Sequence, residues 1–589
     1  MNGLRWILWL GLILSMQSLC AQVYIVNTAD DTDDGSCTTG HCSFREAIHA
    51  ANGDGIASRI EFNIPGMAPH QIIPNGPFPN VTGPFLTVAG ETQPGPLGSI
   101  VINFAFRNFS GASFWNILST DVFISGLTFS NFGYSTAGDE VLRVGDFGRS
   151  ADRFSLYNCA FTNDNLIVNF LDLANVHIFN SSNALVRKNI FGSDYGKSTI
   201  NTYFSSLMLN QNLALKPCVI DSNIFVSSRT ALNARGGDLN ISKNIFGALD
   251  TSKANTFTNQ ETGIAFDLFG KYSVTDNFFI FHIHNAITNR NLGINDNSIN
   301  ISGNRFFNFK TAISLFASAQ INNNYAANIL GGFNGRFSTI SSPPFFNISV
   351  DLENNQTENL QNFYELFGNA NLIRSKHSKN RIYCNENNPV NIAPFIDAIK
   401  PPVPVIVSVN PNLIKGTARP NDSISIYENT RRNCPTADCR GGVEIGRTLA
   451  DASGNWILAR NFTAGASLSA YVWNNNNVPL VYSEFSNCYR CAPSAPIPVT
   501  PTICEGETFT FRSRVYSASK SSDTITIPGD GIIICDSVFH VNLTLLKPNR
   551  VTQNVNVCFD DTLRIAGIKL YAGKLVDSTT LKNVNQCDS

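Results

Sequence analysis

Few residues in this chain are spaced to do chemistry. Asp30, Asp31, Asp33 and Asp34 crowd into one acidic loop that ends at Gly35. Calcium, a hard cation, takes several carboxylate and carbonyl oxygens of this kind. The loop lacks the distal bidentate glutamate of an EF-hand, and a solvated turn is the competing reading. Calcium is thus the one ion suggested, and no other cofactor is expected. Further along, Asp267, Asp276, His282, His284 and Arg290 cluster in sequence. His282 and His284 share one side of a strand, opposite Phe281 and Ile283, where they could line a sugar groove or simply face solvent. No Gly-x-Ser-x-Gly elbow, phosphate loop, His-Glu-x-x-His helix or Gly-His-Gly element occurs, so no catalytic residue is assigned from a linear motif.

The elements that would position such residues belong to an exported, multidomain chain. At 589 residues it exceeds what one core accommodates. Charged residues are only 15% and the formal net charge is −2, which argues against a nucleic-acid partner. Residues 1–21 have the pattern of a signal peptide, with Arg5 before an apolar run too short to span a bilayer. No other segment is long and apolar enough to cross a membrane. Export makes disulfides the expected use of the cysteines, and local spacing suggests Cys37 with Cys42, Cys434 with Cys439 and Cys504 with Cys535. The partners of Cys159, Cys218, Cys384, Cys488 and Cys491 stay open.

Residues 42–53 predict one short helix. Ser43 is an N-cap and Glu46 completes a capping box. Phe44, Ala47, Ile48 and Ala51 fall on one face, and Asn52 and Gly53 suit a left-handed end. From about 110 to 400 an Asn-x-Phe element recurs at Asn189, Asn223, Asn244, Asn277 and Asn304, in steps of 34, 21, 33 and 27 residues. Short alternating runs such as Leu239–Ile241 and Ile299–Ile301 lie between. A coil of twenty-odd residues with loop insertions fits this pattern: a mainly β chain forming a right-handed parallel β-helix, in which each coil buries its apolar face on the next. Asn would sit in the left-handed conformation at the corners and bond to the Asn above, with each Phe stacking inward. About 290 residues so wound give a rod on the order of 55 Å. An antiparallel sandwich or propeller is disfavoured by the missing two-residue hairpin signals. An open end of such a solenoid needs a cap, and the helix around Phe44 is suited to that.

Cys42, Ser43, Phe44, Arg45, Glu46, Ala47 and Ile48, followed by Ala51 and Asn52, closely resemble the N-terminal motif of bacterial CSLREA-type surface proteins, with Phe44 where Leu is usual. The segments 60–66, Gly83-Pro84 and 89–95 resemble the same family. The resemblance implies an exported right-handed parallel β-helix with Ser43, Phe44, Arg45, Glu46 and Ile48 in its structural cap. It implies no reaction. The expected organisation is a signal peptide (1–21), the CSLREA-type cap and first coils (22–110), the β-helix (111–400), an Ig-like β-sandwich resembling modules of bacterial adhesins (403–489), a Pro-rich linker (490–502), and two Cys-containing β repeats (503–548 and 549–589). The second repeat is truncated, so the sequence reads as a fragment. These repeats resemble tails of large secreted proteins from Bacteroidetes-type bacteria. The expectation is a secreted or cell-surface adhesive protein, a monomeric rod binding extracellular glycans or surfaces through many weak contacts. The alternative is a polysaccharide lyase or glycoside hydrolase with its site in a groove of the β-helix, which would need a carboxylate pair or calcium with a basic group.

Overall fold

A computed structural model describes residues 21–105, 113–132, 140–162, 174–192, 202–211, 216–226, 228–247, 262–266, 270–289, 299–327, 336–341, 348–367, 373–385, 388–392, 401–410, 412–430, 439–461, 466–473, 483–489, 496–527, 537–548, 554–556, 561–565 and 567–571, with a few single residues besides. The predicted signal peptide lies outside them but for Ala21. So do Asp267, Arg290, Cys434, Cys491 and Cys535.

The chain is mainly β and divides into two compact units. The first comprises residues up to Val407, Lys415–Leu458 and Leu468–Cys488. Its core is a parallel β-helix with three faces. The first face is a 13-stranded sheet that begins Gln22–Val26, Ser58–Phe62, Leu86–Ala89 and ends at Ile373–Ser378, every neighbour parallel. The second runs from His70–Ile72 through short strands such as Ile190–Phe191 and Ile245–Phe246 to Arg381–Tyr383. The third runs from Trp115–Ile117 and Glu140–Val144 to Val390–Ile392. The long strands Phe278–Asn289 and Arg305–Leu315 carry the second face into the third.

Parallel pairing in register puts like residues above like. On the first face Ile60, Val88, Ile124, Leu156, Val186, Ile220, Ile241, Val274, Ile301, Ile321, Leu352 and His377 are successive partners. They form one inward row, aliphatic except at His377. The Asn-x-Phe element forms the next corner. Asn189, Asn223, Asn244, Asn277, Asn304, Asn324, Asn355 and Asn380 are all buried. In each step the backbone and side-chain amides of one Asn donate to Oδ1 of the next, at 2.8–3.1 Å. Phe129, Phe161, Phe191, Phe225, Phe246, Phe279 and Phe306 stack beside them at 4.7–5.0 Å.

One detail corrects the sequence reading. The left-handed residue at each corner is not the ladder Asn but its predecessor: Lys188, Ser222, Lys243, Asp276, Gly303, Asn323, Asn354 and Lys379 have φ of 53–69°. That residue turns the chain outward, which leaves the following Asn free to aim its amide along the stack. The ladder also runs three rungs beyond the last Asn-x-Phe, because Ala326, Thr357 and Ile382 take over the inward place of Phe.

Helix α1 (Phe44–Gly53) has the expected capping box, with Ser43 Oγ accepting from Glu46 N and Glu46 Oε2 accepting from Ser43 N. Phe44, Ala47, Ile48 and Ala51 are buried in the β-helix core, and the Phe44 ring sits 5.1–5.5 Å from Phe62, Phe78 and Trp115. The helix end differs from expectation. Gly53 is still helical, the C-cap Asp54 is right-handed, and Gly55 takes the left-handed turn. Asn52 instead ties down the next loop, its Oδ1 accepting from Thr82 and Gly83 N and its Nδ2 donating to Asn80 O. Gly83 passes so close that a Cβ there would lie 2.6 Å from Ala51 O.

At the other end, the antiparallel strands Ser423–Asn429 and Gly442–Leu449 continue the second face, with Val443 paired to Arg381 and Gly442 to Ile382. Tyr427, Tyr471 and Phe485 join the same core as Tyr364. Trp456 is buried against Gly416. Two of the expected disulfides change. Cys439 bonds to Cys488, not Cys434, and Cys504 bonds to Cys587, not Cys535. Closure entropy favours short loops, but it grows only slowly with length. Closing 83 residues rather than 31 costs only about 0.9 kcal/mol more, which tertiary placement readily outweighs. Cys37 bonds to Cys42, and Cys384 is also disulfide-bonded. Cys159 and Cys218 are buried thiols pushed up by burial to about 12 and about 11, so they are inert.

The second unit includes Tyr489–Ser589. Its small core gathers Tyr516, Ile525, Val541 and Leu543 around the antiparallel pair Ser522–Ile527 and Ser537–Asn542.

Candidate functional site

The outward side of the first face repeats. Asn240, Ser273, Asn300 and Gln320 are register partners, as are Ser242, Thr275, Ser302 and Asn322. All are at least partly exposed. Amide and hydroxyl groups therefore recur over these four coils, about 4.8 Å apart.

The third face breaks its apolar pattern at Glu140, and again at the buried Glu365, which lies 3.2 Å from Arg336. Its strands Glu140–Val144 and Ala174–Phe179 pair with His177 beside Arg143. Glu140, only 2% exposed, accepts from Ser113 Oγ at 2.8 Å and from Arg143 Nη2 at 2.7 Å through Oε2. Its Oε1 lies 2.9 Å from His177 Nδ1. His177 is 6% exposed, and burial depresses its pKa; Arg143 and Arg235 push the same way while Glu140 opposes them. The imidazole is therefore neutral near pH 7. A carboxylate only accepts, so Nδ1 carries the proton and Nε2 the lone pair. Nε2 is sealed from solvent and makes no hydrogen bond. Phe179 lies against the imidazole, centroids 3.7 Å apart, and Arg143 lies over the Phe179 ring. Phe147, 88% exposed, packs on Phe179 at 5.1 Å. A histidine oriented by a carboxylate holds Nε2 as an acceptor, which a substrate could reach only by displacing the side chains that seal it. An exposed aromatic ring beside it suits the apolar face of a sugar. Sequence reading missed this group because Glu140 and His177 stand 37 residues apart. Only the pairing of neighbouring coils joins them.

The residues singled out from sequence fall differently. Asp276 is exposed at the corner before Asn277, whereas His284 is exposed at the bend between the second and third faces. One whole strand segment separates them, so they do not meet. His282 pairs with Phe309 just before a register shift. In the acidic loop, Asp31 is buried and paired with Arg45 at 2.7 Å. Asp33 lies 3.3 Å from His49. Asp30 Oδ2 accepts from Thr28, and Asp30 Oδ1 from Thr32 N. Burial opposes ionisation of Asp30, yet these bonds and His41 hold it down at about 2. Asp34 approaches His41, which also reaches Glu46.

No known family matches the chain, and no curated protein does. Among solved structures it is similar to a tailspike protein of E. coli bacteriophage HK620, at 13% identity and a TM-score of 0.39, covering 76% of this chain and 92% of that one. It is similar to PfbA, a surface adhesin of Streptococcus pneumoniae, at 12% identity and a TM-score of 0.35, covering 68% and 98%. It is also similar to an exopolygalacturonase from Thermotoga maritima, at 10% identity and a TM-score of 0.27, covering 60% and 92%. Likeness at these levels carries no functional inference, and the β-helix is read here from its own strand pairing. Among the described residues no helix is long and apolar enough to cross a membrane.

Proposed function

We propose that this chain is an exported surface protein of the CSLREA type that binds extracellular glycans along a right-handed β-helical rod. Helix α1 caps the first coils, and the Ig-like segment that follows the β-helix closes the last. The observation that carries the reading is the in-register repetition of Asn240, Ser273, Asn300 and Gln320, and of Ser242, Thr275, Ser302 and Asn322, on the first face. A glycan lying along the axis meets amide or hydroxyl groups at four successive coils, and weak contacts add through effective concentration. A second reading, a polysaccharide lyase or hydrolase, is favoured by the Glu140–His177 pair. That group has one carboxylate, where a glycoside hydrolase uses two.

The test is a glycan panel applied to the full chain, with binding and release of reducing ends or unsaturated ends measured together. Binding without turnover is expected. Turnover that disappears in His177→Gln would transfer the reading to the enzyme.

A further inference from the structure

We propose that Asp34, His41 and Glu46 form a mononuclear site for a divalent transition-metal ion of the zinc class. This goes beyond the glycan reading and is independent of it. One ligand atom from each residue lies within 4.8 Å of the others. His41 Nδ1 stands 3.2 Å from Glu46 Oε2 and 3.5 Å from Asp34 Oδ2. A tetrahedral ion with bonds of about 2.0–2.2 Å separates its ligand atoms by roughly 3.3–3.6 Å; the 3.5 Å spacing falls in that range and the 3.2 Å spacing about 0.1 Å short of it.

The second observation is the state of Nδ1. It is sealed from solvent and makes no hydrogen bond, although two carboxylate oxygens flank it. Neither oxygen lies where an Nδ1–H could donate to it. An ion on the Nδ1 lone pair would satisfy the nitrogen and be reached by both carboxylates.

The surroundings hold Glu46 and His41 in place before any ion arrives, while the Asp34 carboxylate is half exposed. Glu46 is held by the helix cap, Oε1 accepting from Asp34 N at 2.9 Å and Oε2 from Ser43 N at 2.8 Å. Oε2 keeps a second lone pair. The far side of the His41 ring faces a carboxylate, with Nε2 3.3 Å from Asp30, which is the outer partner that orients metal-bound imidazoles. The donor set selects the metal. Calcium takes oxygen ligands, whereas an imidazole with carboxylates suits zinc and its neighbours. Asp31 takes no part because Arg45 holds it. The bound ion would clamp the acidic loop to the N-terminus of α1.

The test uses the full chain in a Cys558→Ser background, which removes the exposed free thiol found among the described residues, stripped of metal with EDTA and titrated with zinc and calcium chlorides by calorimetry. Expected are one tightly bound zinc per chain, no calcium binding at the same concentrations, and a visible tetrahedral d–d band when cobalt replaces zinc. Loss of an outer-shell partner alone weakens binding about 10–100-fold, so His41→Gln and Asp34→Asn should each weaken zinc by at least about 100-fold. His49→Gln should not. Absence of stoichiometric zinc or of the cobalt band overturns the proposal without reference to any variant. So does zinc binding that survives His41→Gln in protein with an unchanged circular dichroism spectrum.

Discussion

The Asn corner and the third face of this β-helix are built from the same coils but behave in opposite ways. From Asn189 to Asn380 every corner makes the same bonds to the next. On the third face, the buried Glu140 and His177 and the part-exposed Arg143 form a polar group that the neighbouring partners Met208 and Asn233 do not repeat. Repetition here serves stacking, since each coil can bury itself only on a copy of itself. A costly departure, with a carboxylate drawn under cover beside a part-exposed guanidinium, calls for a reason outside stacking.

This contrast can be broken at its strong side first. Asn277→Ala should be the most damaging single change. It strands the backbone and side-chain amides of Asn244 and the carbonyl of Ile241, all buried. At about 1–3 kcal/mol for each orphaned group, a loss of about 3 to 9 kcal/mol is expected in urea unfolding of the full chain. A cost under about 1 kcal/mol would mean that the ladder is ornamental.

The inward row supplies the next test, at its one polar member. His377 is buried among Phe363, Tyr364 and Tyr471, and burial, aided by Arg447, depresses it to about 3. Below about pH 6.5 the unfolded chain takes up a proton that the folded chain refuses. Stability should thus be flat in this term above 6.5 and fall as pH drops toward 3, by at most ~5 kcal/mol. His377→Phe should flatten that limb, measured as the midpoint of unfolding against pH. An unchanged limb would locate acid sensitivity elsewhere.

Glu140→Gln sharpens the other side of the contrast. It keeps the shape but leaves Arg143 without its counter-ion, and about 2–3 kcal/mol of stability should be lost, discounted for the partial exposure of Arg143. Retention of glycan affinity or turnover at a temperature where the variant stays folded would mark the group as structural. The smallest effect is expected at Ser302→Ala, two residues before a ladder Asn but facing outward. Its stability should stay within about 0.5 kcal/mol of the parent, while glycan binding weakens measurably on the panel.

Much of the stack was legible in the chain. Asn189, Asn223, Asn244, Asn277 and Asn304 announced themselves through the Phe two residues on. Asn324, Asn355 and Asn380 did not, because smaller residues replace that Phe and the amide ladder needs none. The capping box of α1 was visible because Ser43 and Glu46 meet within one helical turn. Glu140 and His177 were invisible because coils of unequal length hide their register. The same holds for Cys504 with Cys587, and for Cys439 with Cys488.

The sequence by itself determined the repeating coil, its buried corner and the capped helix at its start, since each depends on residues within a few positions or on a pattern copied coil after coil. Only the tertiary structure decided which cysteines meet, where the left-handed residue falls at each corner, and that Glu140 lies against His177. Those outcomes depend on how many residues each coil spends between strands, and parallel pairing fixes that register in space through backbone hydrogen bonds common to every residue type.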